Sequence, residues 1–225
     1  MKKYELTAEF IEKWGKKLFR IKALISFGSV EAGELGGYVE KEDNLAQDGD
    51  AWVYGNAEVY GDARVYGNAR VFGNARVYDD AWVYGNARVC DDAWVYGNAR
   101  VCGNAEVYGN AWVCGNAWVC DDAWVYGNAR VCGNAWVCGN ADYLLIGRIG
   151  SRFSFTTFFK NKDKGITVSC GCFLGTIAEF RAKVTDTHGN NKHAKMYNLA
   201  ADMAELQILG EEHFDKLNTN KSEPF

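Results

Sequence analysis

The sequence predicts a mainly β protein whose central half is a solenoid, with a cap before it and a small α+β module after it. Three observations predict this. Alanine recurs every six residues from Ala51 to Ala141 without slippage. The third position of each hexad over 51–140 is valine, from Val53 to Val137. Each hexad closes on a two-residue corner, mostly Gly-Asn, once Gly-Asp, and Asp-Asp at 79–80, 91–92 and 121–122.

A helix cannot carry this pattern, because a Gly-Asn pair every six residues would break each second turn. A four-residue strand with a two-residue corner can. Alanine and valine alternate with bulky residues and so share one side, while the Trp/Arg/Glu and Tyr/Phe/Cys positions share the other. Gly and Asn tolerate the left-handed φ a corner needs, and Asp does so less readily. The frame extends backwards less cleanly through 39–50.

The repeated Val-Tyr-Gly-Asn-Ala-Arg resembles the hexapeptide repeat of left-handed parallel β-helices. The resemblance implies three hexads per triangular coil of eighteen residues, hence about five to six coils over residues 39–141. Two flanking segments resemble hexapeptide-repeat proteins of phages and gut bacteria: Gly33-Glu34-Leu35-Gly36-Gly37-Tyr38-Val39-Glu40 before the repeat, and Ser169-Cys170-Gly171-Cys172-Phe173 with Thr187-His188-Gly189 after it. That group implies no activity.

On an eighteen-residue coil, every eighteenth residue stacks at about 4.8 Å. One outward column reads Arg64, Trp82, Arg100, Trp118, Trp136; a second reads Glu58, Arg76, Trp94, Trp112, Arg130; a third reads Trp52, Arg70, Arg88, Glu106, Trp124. Alternating Arg and Trp stack as cation–π pairs, and Glu58 over Arg76 and Arg88 over Glu106 form ion pairs. These ladders stabilise the solenoid. Trp82, Trp94, Trp112, Trp118, Trp136 and Tyr96 are also the partner-binding candidates, because contiguous aromatic patches mark association surfaces. A homo-oligomer, dimer or trimer, is expected. Cys102, Cys120 and Cys138 share one column, and Cys114 and Cys132 another. They are expected as packed thiols, since strand neighbours in register rarely give a disulfide its torsion.

The caps follow from the open ends of a solenoid. Residues 1–38 supply one, with a strand over Leu18–Leu24 and a strand or short helix over Phe10–Trp14. From about residue 142 to 225 the composition changes. Tyr143–Ile149 reads as a strand, and Phe153–Phe159 and Ile166–Cys170 as a hairpin around Asn161–Gly165. Thr176 with Glu179 forms a capping box for a helix to about Thr187. A second helix over about Asn191–Leu209 is expected to bury Met196, Leu199, Ala200, Met203 and Leu206.

Composition bounds the function. The net charge of −4 in 225 residues argues against bulk-charge coating of nucleic acid. No apolar run reaches the 18–20 residues of a spanning helix, so no membrane is expected. The N-terminus Met1-Lys2-Lys3-Tyr4-Glu5 has no apolar h-region, so no secretory signal is expected, and the thiols are expected reduced in a bacterial cytoplasm. Residues 51–141 contain no histidine and no inserted loop, unlike the acyltransferases this repeat resembles. The three Asp-Asp pairs fall on different prism edges; Asp62 beside Asp79-Asp80 is the one acidic cluster. Cys170, Cys172 and His188 are the candidate ligand or metal site, although C-x-C with one histidine is incomplete beside zinc patterns. The bland account is a strand-end cysteine pair and a helix-end histidine. Arg148, Arg152, Lys160, Lys162 and Lys164 make a basic cluster, read as a solvated face or an anion contact.

The resulting expectation is a non-enzymatic structural and binding protein, phage- or mobile-element-associated, with no catalytic residue, metal or cofactor assigned. The solenoid is the scaffold and self-association surface. The C-terminal module takes a partner, a host protein or a small anionic ligand. The alternatives are an inhibitor or sponge of a host defence protein or nucleotide signal, and an acyltransferase-like enzyme in which His188 or Cys170 serves between subunits.

Overall fold

The structure, a computed structural model, describes residues 1–212. It contains two compact units, Met1–Gly133 and a second beginning at Asn134. The chain is mainly β, with a solenoid of about six turns followed by a small sheet and two helices.

In the first unit each hexad contributes a two-residue rung, and rungs eighteen residues apart pair in parallel register. On one face Glu58, Arg76, Trp94, Trp112 and Arg130 lie in line. On the second face the line is Trp52, Arg70, Arg88, Glu106 and Trp124. The third carries Arg64, Trp82, Arg100 and Trp118. The strand edges are satisfied from one coil to the next; Trp94 N–H donates to the Ala111 carbonyl at 2.9 Å. The hexad alanines and valines from Ala51 and Val53 to Ala129 and Val131 are all buried. A fully buried valine contributes about 1.5 kcal/mol or more, so the interior column drives the winding.

The corners explain the Gly/Asp choice. Gly61 and Gly73 have φ of 71° and 72°, and Asp79, Asp91 and Asp121 hold φ of 59°, 59° and 52°. Asp recovers part of that cost: the Asp79 and Asp91 carboxylates accept the Gly97 and Gly109 N–H of the next coil, at 3.3 and 3.1 Å. The second corner residue forms an amide ladder. Asn68 donates to Asn86, Asn86 to Asn104 and Asn104 to Asp122, each at 3.0 Å. Sequence reading gave asparagine a conformational role only. Asp62 is held by Lys41 at 2.6 Å, which keeps its carboxyl below the usual range, so it does not join Asp79 and Asp80 in a cation cluster.

The cap is a hairpin of β1 (Tyr4–Lys13) and β2 (Lys16–Ala23), extended by β3 (Leu35–Val39). β2 pairs antiparallel with β3, and β3 pairs in parallel with the Glu58 rung, so the hairpin continues one solenoid sheet. The Phe10–Trp14 stretch is therefore strand up to Lys13. Trp52, read as outward, is fully buried beneath this cap, edge-on to Tyr4 and Phe27. Lys3 is 2% exposed and donates from Nζ to the carbonyls of Asp48, Gly49 and Ala51. Burial lowers its pKa to about 8, against the pull of Asp48 and Asp50.

The second unit holds an antiparallel sheet in chain order: β4 (Tyr143–Ile149), β5 (Ser154–Lys160), β6 (Ile166–Cys170) and β7 (Phe173–Thr176). Two helices follow, α1 (Ile177–His188) and α2 (Lys192–Leu209). Thr176 and Glu179 form the expected capping box, and Asn191 caps α2 through its side chain. Phe158, Val168, Phe180 and Val184 meet Ala194, Tyr197, Ala201, Ala204 and Ile208 in the core. Arg181 fixes α1 to α2, donating to Asp202 and Glu205 at 2.7 Å each.

One expectation about α2 is overturned. Ala200 is buried, but Met196, Leu199, Met203 and Leu206 are 40–63% exposed. The buried stripe is the alanine-rich one, because small side chains let α2 approach the sheet and α1 closely. These four larger residues point outward.

Candidate functional site

The predicted site residues fall in different settings. In the first unit Trp82, Trp94, Trp112, Trp118 and Tyr96 are half-buried. Arg100 lies over Trp82 at 5.0 Å and over Trp118 at 5.9 Å. Arg76 and Arg130 cover Trp94 and Trp112 at 5.0 and 4.5 Å. Tyr60, Tyr78 and Tyr96 stack at 5.0 Å spacing, within 3° of parallel. Ring faces are thus covered by neighbours in the column. Trp136, in the second unit, is 42% exposed.

The tyrosine column continues into Cys114 and Cys132, which are disulfide-bonded with Cα atoms 4.5 Å apart. The expectation of packed thiols fails here, because rungs in register bring the two Cα atoms within bridging distance, and it fails at Cys120 and Cys138, which are disulfide-bonded as well. Cys90, Cys102, Cys170 and Cys172 are free.

The second unit brings the chemistry-bearing residues together. A pocket of about 380 Å³ opens where the β6–β7 turn, the β4–β5 connection and the α1 inner face converge. Phe173, Phe180, Val184 and the Tyr197 ring form its apolar floor. Arg152, Lys183 and His188 line it with Ser151, Ser154, Thr187, Cys170 and Cys172. No carboxylate is among its lining residues.

Local structure explains the placement. Cys170 pairs with Phe173 across a two-residue turn, in which Gly171 takes φ 60°. A side chain at Gly171 would approach Arg152 Nη1 at 3.7 Å, so the guanidinium lies beside this turn. Gly150 has φ 72°, and a Cβ there would sit 1.9 Å from the Tyr197 hydroxyl. Only glycine lets that ring in. Thr156 Oγ1 donates to Cys170 Sγ at 3.2 Å. The Tyr197 pKa is pushed up to about 12 by burial first and then by Cys170, to which it is hydrogen-bonded, with Arg152 opposing. At neutral pH the phenol is a neutral donor. His188 stacks on Tyr197 at 5.8 Å and 27°.

The ligand atoms of Cys170, Cys172 and His188 do not converge within 4.8 Å of one another, so this arrangement does not form a three-ligand metal cluster. No hydrogen bond joins either cysteine to His188 among the described residues. Lys183 pairs with Asp186 at 2.9 Å, both largely exposed, a contact of little strength. Arg152 has no ion-pair partner among the described residues. Lys160 of the basic cluster is held by Asp142 at 3.0 Å, while Arg148, Lys162 and Lys164 are exposed. His213 lies outside the described residues.

The sequence pointed to Cys170, Cys172, His188 and Arg152 but missed Phe173, Phe180, Lys183 and Tyr197. The signal for Tyr197 was its helical spacing from Ala194, Ala201 and Ala204, a stripe the sequence analysis did not single out. A second, smaller pocket of about 280 Å³ lies in the first unit, between Asp43, Ala46, Arg64, Val65, Tyr66 and Trp82. There Asp43 and Arg64 offer opposite charges.

A family model described as the YdcK beta solenoid repeat matches residues 57–71, 63–79, 69–85, 81–97, 99–115 and 123–139. These stretches lie within the repeat, and none reaches the pocket of the second unit. Together with the observed turns they support a β-solenoid repeat protein. A search of curated proteins finds no match to the chain.

Proposed function

We propose that this β-solenoid repeat protein is a non-enzymatic scaffold that carries a small-molecule binding module. The ligand class is a small amphipathic anion: an apolar or aromatic body with a carboxylate, sulfonate or phosphate group. One observation carries the reading. The pocket of the second unit joins an aromatic floor to two permanent cations, Arg152 and Lys183, with no carboxylate in its lining. Its volume suits a small organic molecule. The apolar part lies against the floor of Phe173, Phe180 and Tyr197, and the anion meets Arg152, which has no ion-pair partner among the described residues.

Binding is favoured over catalysis by how Cys170 is engaged. Its sulfur accepts from Thr156 and is hydrogen-bonded to Tyr197, so its neighbours hold it in place without acting as a base. A nucleophilic role wants a base within hydrogen-bond reach.

The test uses 1-anilinonaphthalene-8-sulfonate, which has this chemistry, in a fluorescence titration of the full chain. Saturable binding at one site per chain, weakened about tenfold or more by Arg152→Glu, is expected, because a charge-assisted hydrogen bond contributes about 1.5–3 kcal/mol. Equal affinity in wild type and Arg152→Glu overturns the proposal.

A further inference from the structure

The outward face of α2 goes beyond the pocket. Met196, Leu199, Met203 and Leu206 follow at spacings of three, four and three, and all are exposed. This is the a/d seam of a two-helix contact, a narrow stripe on one side of the helix. The opposite stripe of Ala194, Tyr197, Ala201, Ala204 and Ile208 is already used in the core. One helix thus carries two apolar seams, and only one is filled among the described residues.

The charges at the helix ends say what fills the other. Lys192 and Lys195 occupy the first turn, and Glu211 and Glu212 follow the C-cap Gly210; all four are exposed. The first turn has no acidic residue and the last turn no basic one. Lys192 and Lys195 lie at the end of the helix dipole that disfavours them. None of the four has an ion-pair partner among the described residues. A neighbouring helix running the opposite way with the same sequence would set the Glu211/Glu212 end of one copy beside these lysines of the other.

We infer that α2 pairs antiparallel with α2 of a second copy of this chain, about a two-fold axis between Leu199 and Met203. Met196 of one copy then faces Leu206 of the other, and Leu199 faces Met203. The Lys192/Lys195 end of each copy lies beside the Glu211/Glu212 end of the other. The contact is self-complementary, as a two-fold interface requires. The eighteen residues of α2 give a helix of about 27 Å, and its four apolar residues span about 15 Å of that length. The contact is therefore small and concentration-dependent, and is strengthened at low salt.

The test is sedimentation equilibrium of the full chain over a range of concentrations at low salt. Wild type is expected to approach twice the chain mass. The Leu199→Asp/Met203→Asp variant is expected to stay at one chain mass with an unchanged circular dichroism spectrum, since both positions are exposed. Lys192→Glu/Lys195→Glu is expected to weaken the dimer. Adding Glu211→Lys/Glu212→Lys to that variant is expected to restore it, because the pairs are then reversed and again complementary. The charge variants touch no core residue, so they keep the proposal testable if the aspartate variant misfolds. A wild-type monomer throughout the range overturns it, as does a dimer indifferent to Leu199→Asp/Met203→Asp, or a fourfold charge variant no better than the twofold one. A Trp94→Ser/Trp112→Ser variant that alone abolishes the dimer would place association on the solenoid and also overturns it.

Discussion

The indole rings of Trp94 and Trp112 lie 5.1 Å apart and within 6° of parallel. Arg76 covers the far side of one at 5.0 Å and Arg130 the far side of the other at 4.5 Å. The backbone register of eighteen residues sets the spacing, and the side chains exploit it. Trp112→Ala is expected to cost about 3 kcal/mol, the low end for an aromatic truncation because the ring is half-buried. Arg130→Ala is expected to cost about 1 kcal/mol or less. Urea unfolding of the two variants checks the ranking.

The asparagine ladder is a second use of the same register. Asn86 both donates and accepts along its edge. Asn86→Leu keeps the hexad pattern but removes two side-chain hydrogen bonds. A loss of about 1 kcal/mol is expected, since both bonds are exposed. Thermal melting against wild type measures it.

Stability is expected to pass through a maximum near pH 10. The folded-state pKa of Lys3 is lowered to about 8 from 10.5, so across that window the unfolded chain holds a proton that the folded chain has released. Raising pH there favours the folded state. Tyr78 and Tyr84 are each pushed up to about 12 by burial first, with neighbouring Tyr96 and Cys102 adding to the shift. Their folded pKa values exceed the ordinary 10, so their contribution is intact below pH 10 and is lost between about 10 and 12. Denaturant midpoints across this range, read with tyrosinate absorbance, check both limbs. Lys3→Met is expected to flatten the rising limb alone.

Gly150→Ala links backbone to pocket. The methyl group would fall 1.9 Å from the Tyr197 hydroxyl, at a φ that costs a non-glycine residue about 1–2 kcal/mol. The second unit is expected to lose stability, and the fluorescent anion is expected to bind more weakly as Tyr197 is displaced. Titration of the purified variant measures the second effect.

Much of the solenoid was legible because its period is exact and each residue type has one job. Ala and Val could only face inward, and Gly or Asp had to take the left-handed corner. The columns then followed, including the Arg76–Glu58 and Arg88–Glu106 pairs at 3.4 and 3.3 Å. Trp52 was misplaced because the repeat predicts its side of the strand but not that β1 and Phe27 cover it. The Cys114–Cys132 bond was missed by reasoning from torsion preference rather than from register. In α2, hydrophobicity pointed to Met196, Leu199, Met203 and Leu206, while close helix packing selected alanines instead. That misassignment hid Tyr197, and with it the pocket that collects Cys170, His188 and Arg152 from distant stretches of chain.

The most direct test of the account is a crystal structure of the full chain with 1-anilinonaphthalene-8-sulfonate. The account predicts the naphthalene ring on the floor formed by Phe173, Phe180 and Tyr197, with its sulfonate on Arg152. A ligand seated only along the tryptophan columns, with the Arg152 pocket unliganded at saturating concentration, would contradict it.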